Sequence, residues 1–554
     1  MGAFRWAVLG ALTVLATVLG IVGFERLPQG AEWSFGDSFH RSLQLFVLES
    51  GGVEPPVPWQ LEVARVLAPA LTLAAAALTV FELFRERVRG LAVRLRARDH
   101  VVVAGLGRQG ALLALRLHEE GARVVAVERA AGAPAIASAR ARGIPVVVGD
   151  AADGRILAQA ALARARELFV LCGEDGTNAG VIAAARRVIG AGGGLRAFVH
   201  LDDLDLLRHL QGHELASGGD SGVRAEFFNL ADVAARMLLE AHPPGGSPHV
   251  VVSGGAGLAE SVVLHAARER LDAGDGERLH VTVCGPDAEA GRARLLSRNP
   301  RLAAGAEVHA WELHPAAGGA PPAAVAEAPP PSAAYVAGPT DARAVTLALA
   351  LRASGFMGEA PVVVAVRDEA EGVTTALRAG GGVVAFGVLT RAMTSELVTQ
   401  GTTEVLARAK HAQYVRDELA RGGTPATNPS IVAWPELSES LRQSNRAFAA
   451  GVGEKLRAAG VAVVPAPLAD PATAPRLPEE QVEELAIAEH DRWCRDLVAQ
   501  GWSHGPGPKD PERKLHPSLV PWDELSEEER DKDREPVRAL PEMLARAGFE
   551  LRAS

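Results

Sequence analysis

The stretch His100-Val-Val-Val-Ala-Gly105-Leu-Gly107-Arg-Gln-Gly110 constrains this chain more than any other. An apolar run breaks at glycines and continues as Ala111-Leu-Leu-Ala-Leu-Arg-Leu-His118, which has helical spacing. The order is strand, tight turn, helix. Gly105 permits the turn, Gly107 lets backbone approach a pyrophosphate, and Gly110 lets helix and strand pack closely. The helix start offers free N–H groups and a positive dipole end. Arg108 and Gln109 add candidate phosphate contacts. A second strand, Arg123-Val-Val-Ala-Val-Glu128, ends in a carboxylate about twenty residues on, where such folds hold a ribose diol. Strand, helix and acidic residue together predict a nucleotide-binding fold.

The same alternation continues. Strands are expected at Val101–Ala104, Val124–Val127, Pro145–Val148, Leu168–Leu171 and Ala197–His200, with helices between them, which describes a doubly wound parallel sheet. Gly149-Asp150 closes the third strand and Cys172-Gly-Glu-Asp175 the fourth, followed by Asn178. Strand ends of this kind face the ligand crevice. Pro248-His-Val-Val-Val-Ser-Gly-Gly-Ala-Gly257-Leu-Ala-Glu260 restarts the pattern, with further strands expected at His280–Cys284, Glu307–Trp311, Ala334–Ala337, Val362–Val366 and Val383–Phe386. Here Glu260 replaces the third glycine, and a carboxylate at that helix start repels a pyrophosphate. The second unit is therefore expected to be a degenerate, structural copy.

Trp6 to Phe24 is nineteen residues without a charge, long enough to cross a bilayer and longer than a signal-peptide core. Val66 to Phe84 is a second apolar run, carrying Pro69 and Glu82. Arg85, Arg87, Arg89, Arg94, Arg96 and Arg98 follow it, whereas the loop between the runs holds six acidic residues against three arginines. Positive residues stay inside, so a multi-pass protein of the inner membrane with both termini cytoplasmic is expected, in contact with membrane lipids. In the loop, Phe35, Phe39, Leu43 and Phe46 recur at helical spacing. They fit either a short re-entrant helix or an amphipathic helix on the outer surface.

The net charge of −10 gives no footprint for nucleic acid. Three widely separated cysteines, Cys172, Cys284 and Cys494, make no metal-ligand spacing and no disulfide framework. No metal site, no paired catalytic residues and no hydride-transfer site are visible, so no enzyme is expected. The segment from Thr390 to Arg421 reads as helical, a second helical segment runs from Trp434 to Gly460, and Pro465 to Pro478 reads as a linker. The C-terminal region concentrates Trp493, Trp502 and Trp522 with His490, His504 and His516 in an aromatic-poor chain. Indole faces can stack a base and Arg492 or Arg495 can grip a phosphate; the same tryptophans can equally pack a small helical core.

Two spans around a short helix, followed by the glycine-turn domain, resemble two-span potassium channels with regulatory TrkA-N (RCK) domains. The resemblance implies NAD or another adenine nucleotide as cofactor, held by Gly105, Gly107, Arg108, Gln109, Gly110, Glu128 and Asp150. It also implies a sensing role. One departure stands out: potassium filters are rings of backbone carbonyls from a Thr-Val-Gly-Tyr-Gly-like loop, and the only tyrosines here, Tyr335 and Tyr414, fall on the cytosolic side. Ser34-Phe-Gly-Asp37 echoes a filter by chance. Two spans cannot enclose a pore alone, so conduction requires an oligomer, with a homo-tetramer expected. The order of residues from about Glu480 to Gly548 resembles the RyR domain, the repeat named after ryanodine receptors. That resemblance implies a nucleotide-type ligand at His490, Arg492, Trp493, Trp502 and His516.

The expected fold class is thus membrane-anchored α/β, with two transmembrane helices, two tandem Rossmann-like doubly wound domains and a mainly α RyR-like module. The expected boundaries are 1–98, 99–245, 246–395, 396–478 and 479–554. Two functions follow: a nucleotide-regulated membrane ion channel or transport protein, or a non-conducting anchored sensor that regulates a separate transporter.

Overall fold

The computed structural model describes residues 2–553 except 28–32, 50–52, 54, 191–192, 218–221, 255, 274–276, 316–318, 368–376, 378–381, 395–400, 459 and 511. The chain forms two compact units, 1–92 and 93–554.

The first unit is built on helices α1 (Gly2–Glu25), α2 (Phe35–Gln44) and α3, which begins at Trp59 and ends at Arg96. The windows Trp6–Glu25 and Trp59–Val80 are each long and apolar enough to cross a membrane, and only 22% of each is buried. A core helix of a soluble domain would be mostly buried. Val14, Leu15 and Val18 on α1, and Val66, Leu73 and Val80 on α3, stand exposed instead. Small residues set the packing: a Cβ on Gly23 would lie 2.7 Å from the Leu61 amide nitrogen, so only glycine admits that approach. Ser34-Phe-Gly-Asp37 has a definite role. It is a capping box, with the Ser34 side chain accepting from the Asp37 N–H and the Asp37 carboxylate accepting from the Ser34 N–H at 3.0 Å. The helix it starts is inside out. Ser38 and Ser42 are buried, Ser42 Oγ donates to the Thr17 carbonyl at 2.8 Å, and Phe35, Phe39 and Leu43 face outward. Arg85, Arg87 and Arg89 fall where side chains lie outside the described residues.

The second unit contains two parallel six-stranded sheets. Strands β1 (His100–Ala104), β2 (Val124–Glu128), β3 (Val146–Val148), β4 (Ala165–Val170), β5 (Leu195–His200) and β6 (Val223–Phe228) are ordered β3-β2-β1-β4-β5-β6. Strands β7 (His249–Ser253), β8 (Leu279–Gly285), β9 (Ala306–Glu312), β10 (Ala333–Val336), β11 (Val362–Val366) and β12 (Val383–Gly387) are ordered β12-β11-β10-β7-β8-β9. Read from either end, this is one topology twice: the doubly wound order, whose direction reverses between the first and fourth strands of each copy. β6 lies beyond the five strands expected from sequence. Its Phe-Phe end was masked by the charges of Arg224 and Glu226.

Helix Leu230–Ala241 joins the sheets, with Val233 and Ala234 in the core of the first and Leu238 and Leu239 in that of the second. Glu260 takes part in this junction. It is fully buried, accepts from Asn299 Nδ2 at 3.0 Å, and lies between Arg208 at 3.7 Å and Arg298 at 3.4 Å.

Part of the expected linker after Pro465 is built in. Strand Val461–Pro465 pairs antiparallel with Phe549–Ala553, and Ala466, Leu468 and Ala469 are buried. The C-terminal module is otherwise mainly helical, at Glu479–Ala499, Glu527–Arg538 and Leu540–Arg546, with a short parallel pair of Ser503–His504 and Leu515–His516. Trp522, Leu485, Val537 and Leu544 fill its core.

Candidate functional site

The crevice at the reversal between β1 and β4 is lined by the glycine turn. Gly105 adopts φ +92°, and a Cβ there would meet the Leu171 carbonyl at 2.5 Å. A Cβ on Gly110 would collide with the Gly105 carbonyl oxygen, so helix α4 (Arg108–Glu119) sits directly on the turn. Gly107 differs: nothing lies within 4 Å of its would-be Cβ. It is also the N-cap of α4 and offers no side-chain acceptor, so the first amides of the helix point into open space. Arg108 is exposed beside it and Gln109 half-buried.

Glu128 folds back onto the turn. Its carboxylate accepts from the Leu106 N–H at 2.8 Å and from the Ala130 N–H at 2.9 Å. Asp150 is exposed and accepts from the Ala152 N–H at 2.9 Å. Burial, together with the charges of Glu128 and Asp150, pushes the Cys172 thiol up to about 11, so it is an inert wall rather than a nucleophile. Asn178 closes the rim, accepting from the Cys172 N–H at 2.8 Å and donating to the His200 carbonyl at 2.9 Å. The crevice therefore combines free helix amides, an open glycine and two carboxylates. These fit a pyrophosphate flanked by a ribose diol. At the second glycine turn, Glu260 is instead committed to the inter-sheet junction, between Arg208 and Arg298.

In the C-terminal module, His490, Trp493, Trp502 and His516 are brought together. Trp493 meets His516 edge-on at 4.9 Å, Trp502 lies 6.3 Å from His516, and His490 lies 5.7 Å from both Trp493 and Trp522. His490 is buried with both ring nitrogens engaged, one 3.1 Å from Asp533 and the other 2.8 Å from the Val520 carbonyl. Trp522 Nε1 donates to Glu483 at 3.1 Å. Trp493, Trp502 and His516 remain partly open, and Lys509 sits over Trp502 at 5.5 Å. Arg492 is not part of this group. It is clasped by Glu489 at 2.5 Å and Asp496 at 2.5 Å, and it lines a separate cleft.

That cleft was missed by sequence reasoning, because its arginines are scattered along the chain. Also unforeseen is a trio on β8 and β9, His280, Glu307 and His309, whose ligand atoms lie within 4.8 Å of one another.

The fold is that of a protein with two doubly wound parallel sheets and two apolar N-terminal helices. Residues 101–208 match the TrkA-N domain family and residues 469–553 the RyR domain family, so the chain joins a TrkA-N domain to a RyR domain. Among solved structures, the GsuK channel is 16% identical over 71% of this chain and 95% of its own, with a TM-score of 0.36. The same channel bound to NAD is 13% identical over 86% of this chain and 87% of its own, with a TM-score of 0.33. The TrkA-N domain of inner membrane protein ybaL from Escherichia coli is 23% identical over 26% of this chain and 98% of its own, with a TM-score of 0.21. No curated protein matches the chain.

Proposed function

We propose that this chain is a nucleotide-regulated membrane ion channel or transport protein of the potassium-transport type, with an adenine nucleotide such as NAD as its regulatory ligand. The observation that carries the reading is the open Gly107 N-cap of α4 facing two carboxylates, inside a TrkA-N domain. The helix amides take the pyrophosphate, Glu128 takes the ribose diol, Asp150 lies on the adenine side, and Arg108 and Gln109 close over the phosphates. The ligand acts by binding one arrangement of the cytosolic domains better than another, since only differential affinity shifts a conformational equilibrium.

Exposed apolar faces on α1 and α3 support membrane spans, and the outward stripe Phe35, Phe39 and Leu43 supports contact with lipid or a second copy. Pore formation then requires several copies, four in this reading. The basic run after the second span supports a reading in which both termini lie in the cytoplasm of an inner-membrane protein. The alternative is an anchored regulator of a separate transporter, favoured by the absence of a Tyr-Gly filter sequence near the spans.

Particle mass in detergent, combined with thermal shift against NAD and ADP, tests the proposal. A multimer stabilised by nucleotide supports it. A nucleotide-stabilised monomer favours the regulator, and a chain that responds to neither nucleotide removes both readings.

A further inference from the structure

A cavity of about 880 Å³ lies apart from the glycine crevice. It lies where β5 and β6 meet helix Thr402–Ala420, helix Glu439–Ala450 and the RyR helix Glu479–Ala499. Six arginines line it: Arg196, Arg224, Arg408, Arg442, Arg446 and Arg492. Arg196 and Arg224 are directly paired across β5 and β6, each the second residue of its strand. They therefore stand at the end of the sheet opposite the glycine crevice.

Like charges in register on neighbouring strands destabilise a sheet. Arg196 is only partly compensated, by Glu167 at 3.6 Å, and Arg224 makes no ion pair among the described residues. Arg408, Arg442 and Arg446 on the far wall are positioned by Glu404 and Glu439: Glu404 lies 2.7 Å from Arg446, and Glu439 lies 2.8 Å from Arg446 and 2.9 Å from Arg442. Trp434 stands between Arg408 and Arg446, each about 6 Å from its ring. Glu226, also on the wall, is 6% exposed and its Oε2 has no hydrogen-bond partner. Burial pushes its carboxyl up towards the neutral form, which leaves the arginines less opposed.

We propose that this cleft is a second binding site, for a phosphorylated small molecule carrying several negative charges. Forked guanidiniums on opposing walls grip oxyanions bidentately. The volume suits a ligand of nucleotide size. A polyphosphate chain would lie between Arg224 and Arg442. A base, where the ligand has one, would lie on Trp434 with the Glu226 carboxyl in reach. Because the walls come from the TrkA-N sheet, the connector helices and the RyR domain, occupancy fastens the three together. The site stands independently of the glycine crevice.

The test is calorimetry on the full chain in detergent carrying Gly107→Asp, a change that places a carboxylate in the glycine crevice only. The probes are inorganic tripolyphosphate and ATP. Binding of at least one probe is expected, at one per chain, weakening as salt rises. Arg224→Gln with Arg442→Gln should lower that affinity at least tenfold, and Arg224→Lys should restore part of it. Equal affinity for the two probes assigns the site to phosphate alone, and tighter ATP assigns it to a nucleotide. Relief of the Arg196–Arg224 repulsion should leave the ligand-free melting temperature of Arg224→Gln unchanged or higher. No binding in the Gly107→Asp chain, or affinity indifferent to the arginine changes, overturns the second site while leaving the crevice reading intact. A clear fall in the melting temperature of Arg224→Gln also counts against it, because the arginine would then be structural.

Discussion

The Leu106 backbone N–H donates to the Glu128 carboxylate across 2.8 Å, tying the end of β2 to the middle of the glycine turn. The acidic residue thus fixes the shape of the turn. Glu128→Ala removes the acceptor of two backbone amides as well as the proposed diol contact. Its expected effect is a 10- to 100-fold loss of NAD affinity, about 1.4–2.8 kcal/mol, read by calorimetry. Unchanged affinity would reduce Glu128 to a prop for the turn.

Gly110→Ala probes the contact beneath the crevice. The new Cβ would run into the Gly105 carbonyl, which is backbone and cannot swing away. The expected cost is about 1–3 kcal/mol, read as a lower melting temperature, with weaker nucleotide binding. Gly107→Ala meets open space and should leave stability nearly unchanged.

Glu489 anchors the RyR domain to the connector, lying 2.5 Å from both Lys455 and Arg492. Burial alone would raise its carboxyl, but Arg492 and Lys455 outweigh burial and hold it at about 2. A depressed carboxylate stabilises the fold above its ordinary value near 4.5. That contribution is lost as pH falls towards 2. Glu489→Gln removes the carboxylate between the buried Lys455 and Arg492, at an expected cost of about 3–5 kcal/mol in chemical denaturation. The acid-induced loss of stability between those pH values should shrink in the same variant.

The His490–Asp533 pair has the opposite sign. Burial works against the imidazolium, yet the Asp533 carboxylate and the Val520 carbonyl outweigh it and raise the His490 pKa above 6.5. Its contribution is complete below pH 6.5 and disappears as pH rises through the raised value. Stability curves across that range should show this loss in the native chain and not in Asp533→Asn. Identical slopes would show that the pair carries no charge.

Much of this architecture is legible in sequence because it is local. The Val-Val-Val-Ala-Gly run, the acidic strand end at Glu128 and the restart at Pro248 each fix a strand and its turn. Uncharged length alone marks α1. What sequence hides is produced by packing. Glu260 sits where a glycine is expected and reads as a repulsive charge, but Arg208 and Arg298 make it a buried ion-pair centre. The outward stripe of α2 follows from Ser42 bonding Thr17, a contact between different helices. Arg196, Arg224, Arg442 and Arg492 come together only when the first sheet, the connector and the RyR domain pack.

Ion flux through liposomes bearing the full chain tests the central claim most directly, with NAD or ADP added on the cytosolic-domain side. The expected result is a flux that changes on nucleotide addition in the native protein and is unresponsive in Gly107→Asp. The absence of flux under every condition, or an equal nucleotide response in both proteins, would contradict it.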